Sequence, residues 1–259
     1  MSRSFWNFIT VNEMVELRID GDIVDDGMAW IYEWFGEPAS SPNAFRKELK
    51  KHEGKDLNIW IDSYGGDVTA AAGIYHALLA HKGKKTVIID SKAMSAASVI
   101  AMAGDKILVN PMSVMMIHNP WTGARGEAED MRHTADVLDT IKETIVNAYA
   151  NKTKRSRKEI SEMMDAETWM DAKEAIKAGF ADGMHEVGEE KGSKVSDSIR
   201  NAFESSRISF QNSADEKIKQ MLAVYAERNK ITPEPEKNGL STVSIYQAQI
   251  LLNRRINNV

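Results

Sequence analysis

Apolar and polar residues alternate along Met14-Val15-Glu16-Leu17-Arg18-Ile19-Asp20 and again along Leu57-Asn58-Ile59-Trp60-Ile61-Asp62. That is the period of a strand with one buried face. Thr86-Val87-Ile88-Ile89-Asp90 and Val114-Met115-Met116-Ile117 are instead continuous apolar runs, which predicts strands covered on both faces. Helical patterns fall between them, near 27–35, 43–51, 67–81, 95–103 and 127–151. In the last of these Met131, Ala135, Leu138, Ile141, Ile145 and Ala148 recur at steps of three and four and make one apolar stripe. Strands separated by helices predict an α/β domain with largely parallel pairing over residues 1–187. The pattern changes after Val187, where Gly188-Glu189-Glu190-Lys191-Gly192-Ser193-Lys194 reads as a linker. A helical extension is expected in 188–259: Ser213-Ala214-Asp215-Glu216 has the form of a capping box, and Ile218, Met221, Leu222 and Tyr225 follow at helical spacing.

Composition narrows the functional classes. The formal net charge of -5 argues against a general nucleic-acid binder, which needs a basic surface. The run Lys152-Thr153-Lys154-Arg155-Ser156-Arg157-Lys158 is the one local exception and reads as a solvated loop after a helix. The chain has no cysteine, which excludes disulfides, thiolate metal sites and a cysteine nucleophile. No apolar run approaches the ~20 residues of a membrane span, and Met1 to Asn12 shows no secretory signal, so a cytoplasmic location is expected. No His-Glu-x-x-His or carboxylate-rich loop occurs, and neither a metal nor a cofactor is expected.

Three segments carry chemistry. Asp62-Ser63-Tyr64-Gly65-Gly66-Asp67-Val68 lies between a strand and a helix, where glycines let backbone N–H groups approach a ligand. It reads either as a plain tight turn or as part of an oxyanion hole. Met94-Ser95-Ala96-Ala97-Ser98 opens an alanine-rich helix. Ser95 there is either an N-cap or a nucleophile favoured by the unsatisfied N–H groups of the first turn. His118 ends an apolar strand in Met116-Ile117-His118-Asn119-Pro120, and strand ends are where α/β proteins gather ligands. A hydroxyl, a base and backbone donors together describe acyl-transfer machinery.

On these segments the chain resembles the proteolytic subunit of Clp protease, and within that family the phage head-maturation (prohead) proteases, over roughly residues 12–187. The family's Ser-Pro-Gly-Gly turn is similar to Ser63-Tyr64-Gly65-Gly66, with Tyr64 in place of proline. Its nucleophile segment resembles Ala93-Met94-Ser95-Ala96-Ala97-Ser98 with the closing Ala103-Gly104, and its Met-Ile-His-Gln-Pro resembles Met116 to Pro120. Ser98 also stands in an Ala-Ala-Ser context, but the count back from Gly104 selects Ser95 and leaves Ser98 a packing residue one turn into the helix. The resemblance implies a spiral of βαβ units, shared with crotonases, and a serine endopeptidase: Ser95 as nucleophile, His118 as base, Gly66 and Ala96 N–H as oxyanion donors. The backbone at Gly65, Gly66 and Asp67 would pair with an extended substrate. For the third triad member the similarity of Trp169 to Ala175 to a family motif points to Glu167, then Asp165, then Asp171. Asp171-Ala172-Lys173-Glu174 is also a capping box, with Gly179 ending that helix.

The family further implies protein substrates and a ring-forming homo-oligomer, single or stacked, with the 127–151 helix at ring-to-ring contacts. Ser2-Arg3-Ser4-Phe5-Trp6 does not resemble the segment that engages an unfoldase, so an ATPase partner is not expected. An extra C-terminal segment suits a protease packaged with capsid or scaffold protein in a host cell, and able to cut its own tail. Two rival classes stand beside this reading: a crotonase-type acyl-CoA enzyme and a non-enzymatic scaffold on a peptidase fold.

Overall fold

The computed structural model describes residues 9–11, 14–35 and 39–185. The linker, the capping box at Ser213, the helix from Ile218 and the Ser2–Trp6 segment lie outside the described residues. Strand β1 (Ile9–Val11) leads into β2 (Met14–Ile23), helix α1 (Asp26–Phe35), β3 (Ala39–Ser40), α2 (Pro42–Leu49), β4 (Leu57–Gly66), α3 (Val68–Ala80) and β5 (Lys85–Met94). Then come α4 (Ala96–Ala101), β6 (Lys106–Val109), β7 (Val114–Ile117), α5 (Ala128–Thr153), α6 (Arg157–Asp165), β8 (Thr168–Asp171), α7 (Ala172–Ala178) and β9 (Gly183–Met184). Two compact units are formed. Of the described residues, those up to Asn119 and 144–185 belong to one, and Pro120–Glu143 to the other.

The fold is mixed α/β with a mainly parallel sheet. Its strand order is β1-β2-β4-β5-β6-β9, and β7 pairs with β5 and β8. Among the described residues only β1·β2 and β7·β8 are antiparallel. The alternation seen in the sequence buries Val15, Leu17, Ile19, Ile59 and Ile61, and α4 packs on β4, β5 and α3. The two continuous runs are buried on both faces, as all four residues of β7 show.

Three elements depart from the sequence reading. β6 and β8 are short strands without a pattern long enough to register. The basic run is a loop after a helix only at its centre, Lys154-Arg155-Ser156: Lys152 and Thr153 close α5, and Ser156 caps α6, which holds Arg157 and Lys158, with a complete capping box to Glu159. Several of its charges have local partners. Lys152 pairs with Asp182 at 3.1 Å, Arg155 donates to the Ala178 carbonyl at 2.7 Å, and Lys158 faces Glu162 at 3.8 Å.

Candidate active site

The site forms where β5 changes neighbours. β5 pairs with β6 as far as Ile89↔Val109 and with β7 from Lys92↔Val114. Across from β4 it advances from Ile89 to Ala93 while β4 advances only from Ile61 to Ser63, so Asp90-Ser91-Lys92 bulges. The bulge is pinned from both sides. Arg18 donates to Asp90 at 2.5 Å, Asn110 donates to the Asp90 carbonyl at 2.9 Å, and Asp62 accepts from Ser91 at 2.7 Å and from the Lys92 ammonium. Burial alone would push the Asp62 carboxyl up. The hydrogen bonds from Lys92 and Ser91 and the charges of Lys92 and Arg18 outweigh it, and hold the carboxyl below its usual value.

Directly after β5, Ser95 has φ 50° and ψ -125°, outside the regions an L-residue favours. Its N–H donates to the Met116 carbonyl at 2.9 Å, which fixes the end of β5 to β7. It stands at the N-cap of α4, yet its side chain makes no capping bond. The hydroxyl instead lies 2.7 Å from His118 Nε2. A plain N-cap would direct that oxygen to the helix N–H groups. Ser98 is fully buried; its hydroxyl donates to the Ser95 carbonyl at 2.6 Å and meets the Tyr149 hydroxyl at 2.8 Å. Burial pushes the Tyr149 hydroxyl up, partly offset by the Ser98 bond. Ser98 is therefore structural.

The glycine turn abuts this serine. A Cβ on Gly65 (φ 106°) would stand 2.8 Å from the Met94 carbonyl, 2.9 Å from Ser95 Cβ and 3.0 Å from Ala96 N. A Cβ on Gly66 (φ 144°) would overlap the Ile23 carbonyl. Ser63 accepts from Gly65 N–H at 3.1 Å, and Asp67 N–H donates to Ile23 O at 2.8 Å. The positive φ of both glycines takes this end of β4 out of regular extended geometry, and the close approach of Gly65 to Met94, Ser95 and Ala96 places the turn against the start of α4. Asp67 is bonded at three points within the chain. Its carboxylate caps α3 through Ala70 N–H at 2.7 Å, and its carbonyl accepts from Ala71 N–H at 3.0 Å. With its N–H also taken by Ile23, Asp67 has its backbone engaged within the chain rather than offered to a substrate strand.

The acid candidates separate by register. β7 and β8 pair through Val114↔Asp171 up to Ile117↔Thr168, and the residues that follow and precede that last pair are His118 and Glu167. Glu167 has φ 47° and accepts from the Trp169 indole at 3.3 Å. Asp165, at the end of α6, accepts from the Asn119 side chain at 2.8 Å. Asp171 lies at the far end of the ladder, about 13 Å along the strand from His118 at ~3.3 Å per residue. It is the N-cap of α7, accepting from Glu174 N–H at 2.8 Å, and Gly179 (φ 84°) ends that helix. Sequence reasoning missed Asn119, the Asp62–Lys92 anchor and an apolar cluster of Met94, Val114, Met116 and Trp169. The one local signal was the Asn119 that follows His118.

Residues 48–188, more than half of the chain, match a family model described as Clp protease. The chain is 35% identical over 131 residues to an ATP-dependent Clp protease proteolytic subunit of Bacteroides fragilis, covering 50% of this chain and 63% of that one. Another subunit of that name, from Bacteroides thetaiotaomicron, is 34% identical over 131 residues, with 50% and 60% covered. One from Chlorella vulgaris is 31% identical over 134 residues, with 51% and 67% covered. The match thus spans less than two thirds of the Bacteroides relatives.

Proposed function

Because the chain belongs to the Clp protease family, we propose that it is a serine endopeptidase working through an acyl-enzyme. In this reading His118 Nε2 takes the Ser95 hydroxyl proton as Oγ attacks the scissile carbonyl. The Gly66 and Ala96 N–H groups receive the oxyanion, and Glu167 orients the imidazole. The tetrahedral intermediate collapses as His118 passes its proton to the leaving amine. Water, deprotonated by His118, then attacks the ester, and the serine leaves with the returned proton. The observation that carries the reading is Ser95: a strained residue at a helix N-cap whose hydroxyl sits 2.7 Å from His118 instead of capping.

The substrate side rests on resemblance. The extension beyond 187 and the likeness to prohead proteases support a head-maturation enzyme acting on capsid or scaffold protein in a host cytoplasm, within a ring-shaped homo-oligomer. The relatives are named ATP-dependent. ATP independence is proposed here from Ser2–Trp6 alone. Neither a crotonase-type reaction nor a scaffold role has use for the Ser95–His118 contact.

Fluorophosphonate labelling followed by peptide mass mapping tests the assignment. Ser95 takes the label in the native protein and His118→Ala removes it, while Ser95→Ala abolishes peptide cleavage and leaves the protein folded. Cleavage by Ser95→Ala at the native rate would overturn the proposal.

A further inference from the structure

The segment carrying His118 and the turn carrying Glu167 are joined on both sides of those two residues. On one side the β7–β8 ladder ends at Ile117↔Thr168. On the other, Asn119 Nδ2 donates to Asp165 Oδ1 at 2.8 Å. The α6–β8 turn is itself tightly bonded: Ala166 N–H donates to Glu162 O at 3.0 Å, Glu167 N–H to Met164 O at 3.1 Å, and the Thr168 hydroxyl to Met163 O at 2.6 Å. A pull on Asp165 is therefore transmitted to Glu167 rather than absorbed in between.

The Asn119 amide is fixed in one sense. Turning it over would set Oδ1 against a carboxylate oxygen, two acceptors in contact. As it stands, Oδ1 is buried with no hydrogen-bond partner among the described residues, a cost that a native structure accepts for a reason. The Nδ2–Asp165 bond is the reason the geometry offers.

We infer that Asn119 and Asp165 form a positioning clamp that sets the distance and angle between His118 and Glu167. The clamp rests on the serine-peptidase reading and deepens it: Asp165 serves the triad through Asn119, and Glu167 orients the imidazole. Both clamp residues act through the groups they hold. Loosening the clamp lowers the rate of the chemical step and leaves reagent binding alone, because an ångström of misplacement is costly only where bonds are made.

The test compares native protein with Asn119→Asp, Asp165→Asn and the double variant. It measures the limiting fluorophosphonate labelling rate, the half-saturating reagent concentration and the thermal midpoint. In Asn119→Asp two carboxylates oppose each other, and the limiting rate falls by about tenfold or more at unchanged half-saturation and unchanged thermal midpoint. Asp165→Asn keeps an amide oxygen for Asn119 and loses less. The double variant exchanges donor and acceptor, restores the bond and recovers most of the rate. A native rate in Asn119→Asp, no recovery in the double variant, or a rate loss that tracks a falling thermal midpoint overturns the clamp. If native protein takes no label, the peptidase reading fails separately, and the imidazole ¹⁵N resonances of His118 still report on the clamp. Asn119→Asp must move them and the double variant return them; unmoved resonances overturn it.

Discussion

Ser95 combines two demands that conflict. A φ of 50° with ψ -125° is glycine's territory, and a β-carbon there costs about 1–3 kcal/mol. The strain has a use: it ends β5 and starts α4 within one residue, leaving the hydroxyl out of the helix and against His118. Ser95→Gly and Ser95→Ala both lose the hydroxyl, but only glycine relieves the strain. We expect Ser95→Gly to exceed Ser95→Ala in unfolding free energy by about 1–2 kcal/mol in urea titration. Equal stabilities would show that the backbone there is relaxed. Asp62 is a second residue with a measurable signature. Its carboxyl is held low in the folded protein, so the unfolded chain binds its proton first as pH falls from about 4. Its contribution is therefore complete above that pH and is lost as pH drops through the folded value. Asp62→Asn should be less stable than native protein at pH 7, with the gap closing between about pH 4 and the acid limit. A gap constant down to pH 3 would mean that the charge of Asp62 contributes nothing.

Elements with a long or unbroken pattern could be read from the sequence; those defined by their neighbours could not. β2 and β4 announce themselves by alternation, and β5 and β7 by apolar runs. β6 is four residues long and opens on an exposed lysine. It becomes a strand because β5 offers it an edge before the bulge, a non-local fact. α6 was hidden by its charges: Ser156-x-x-Glu159 is a capping box inside a run that reads as basic loop. β8 was hidden because Asp171 already had a role as a cap. The same division holds at the site. Ser95 and His118 stand out in their segments, whereas the Asn119–Asp165 bond and the β7–β8 register depend on a pairing across residues far apart in sequence. Asp67 belongs with the second group, since its position beside two glycines gives no sign that its N–H, carbonyl and carboxylate are all engaged within the chain.

At the scale of the molecule the apolar stripe of α5 divides. Ile145 and Ala148 are buried, as are Val146 and Tyr149, but Met131 is 36% exposed and Ala135 is exposed beside it. Two stripe residues at one end are thus buried with Val146 and Tyr149 beside them, and the two at the other end continue the pattern in the open. The proposed ring assembly would supply an occupant: the same helix in another copy of this chain. A carboxylate introduced into such a contact would be desolvated without a partner, costing several kcal/mol, so the assembly constant should weaken by about a hundredfold or more. Met131→Glu combined with Ala135→Glu is therefore expected to shift sedimentation toward smaller species at micromolar concentration. Lys173→Ala, exposed on α7, leaves it unchanged. If the glutamate pair sediments as native protein does, α5 lies outside the interface and its exposed end needs another account. If it dissociates the assembly and labelling of Ser95 falls with it, the site depends on assembly through this helix. Retained labelling would show that a single chain suffices for the nucleophile.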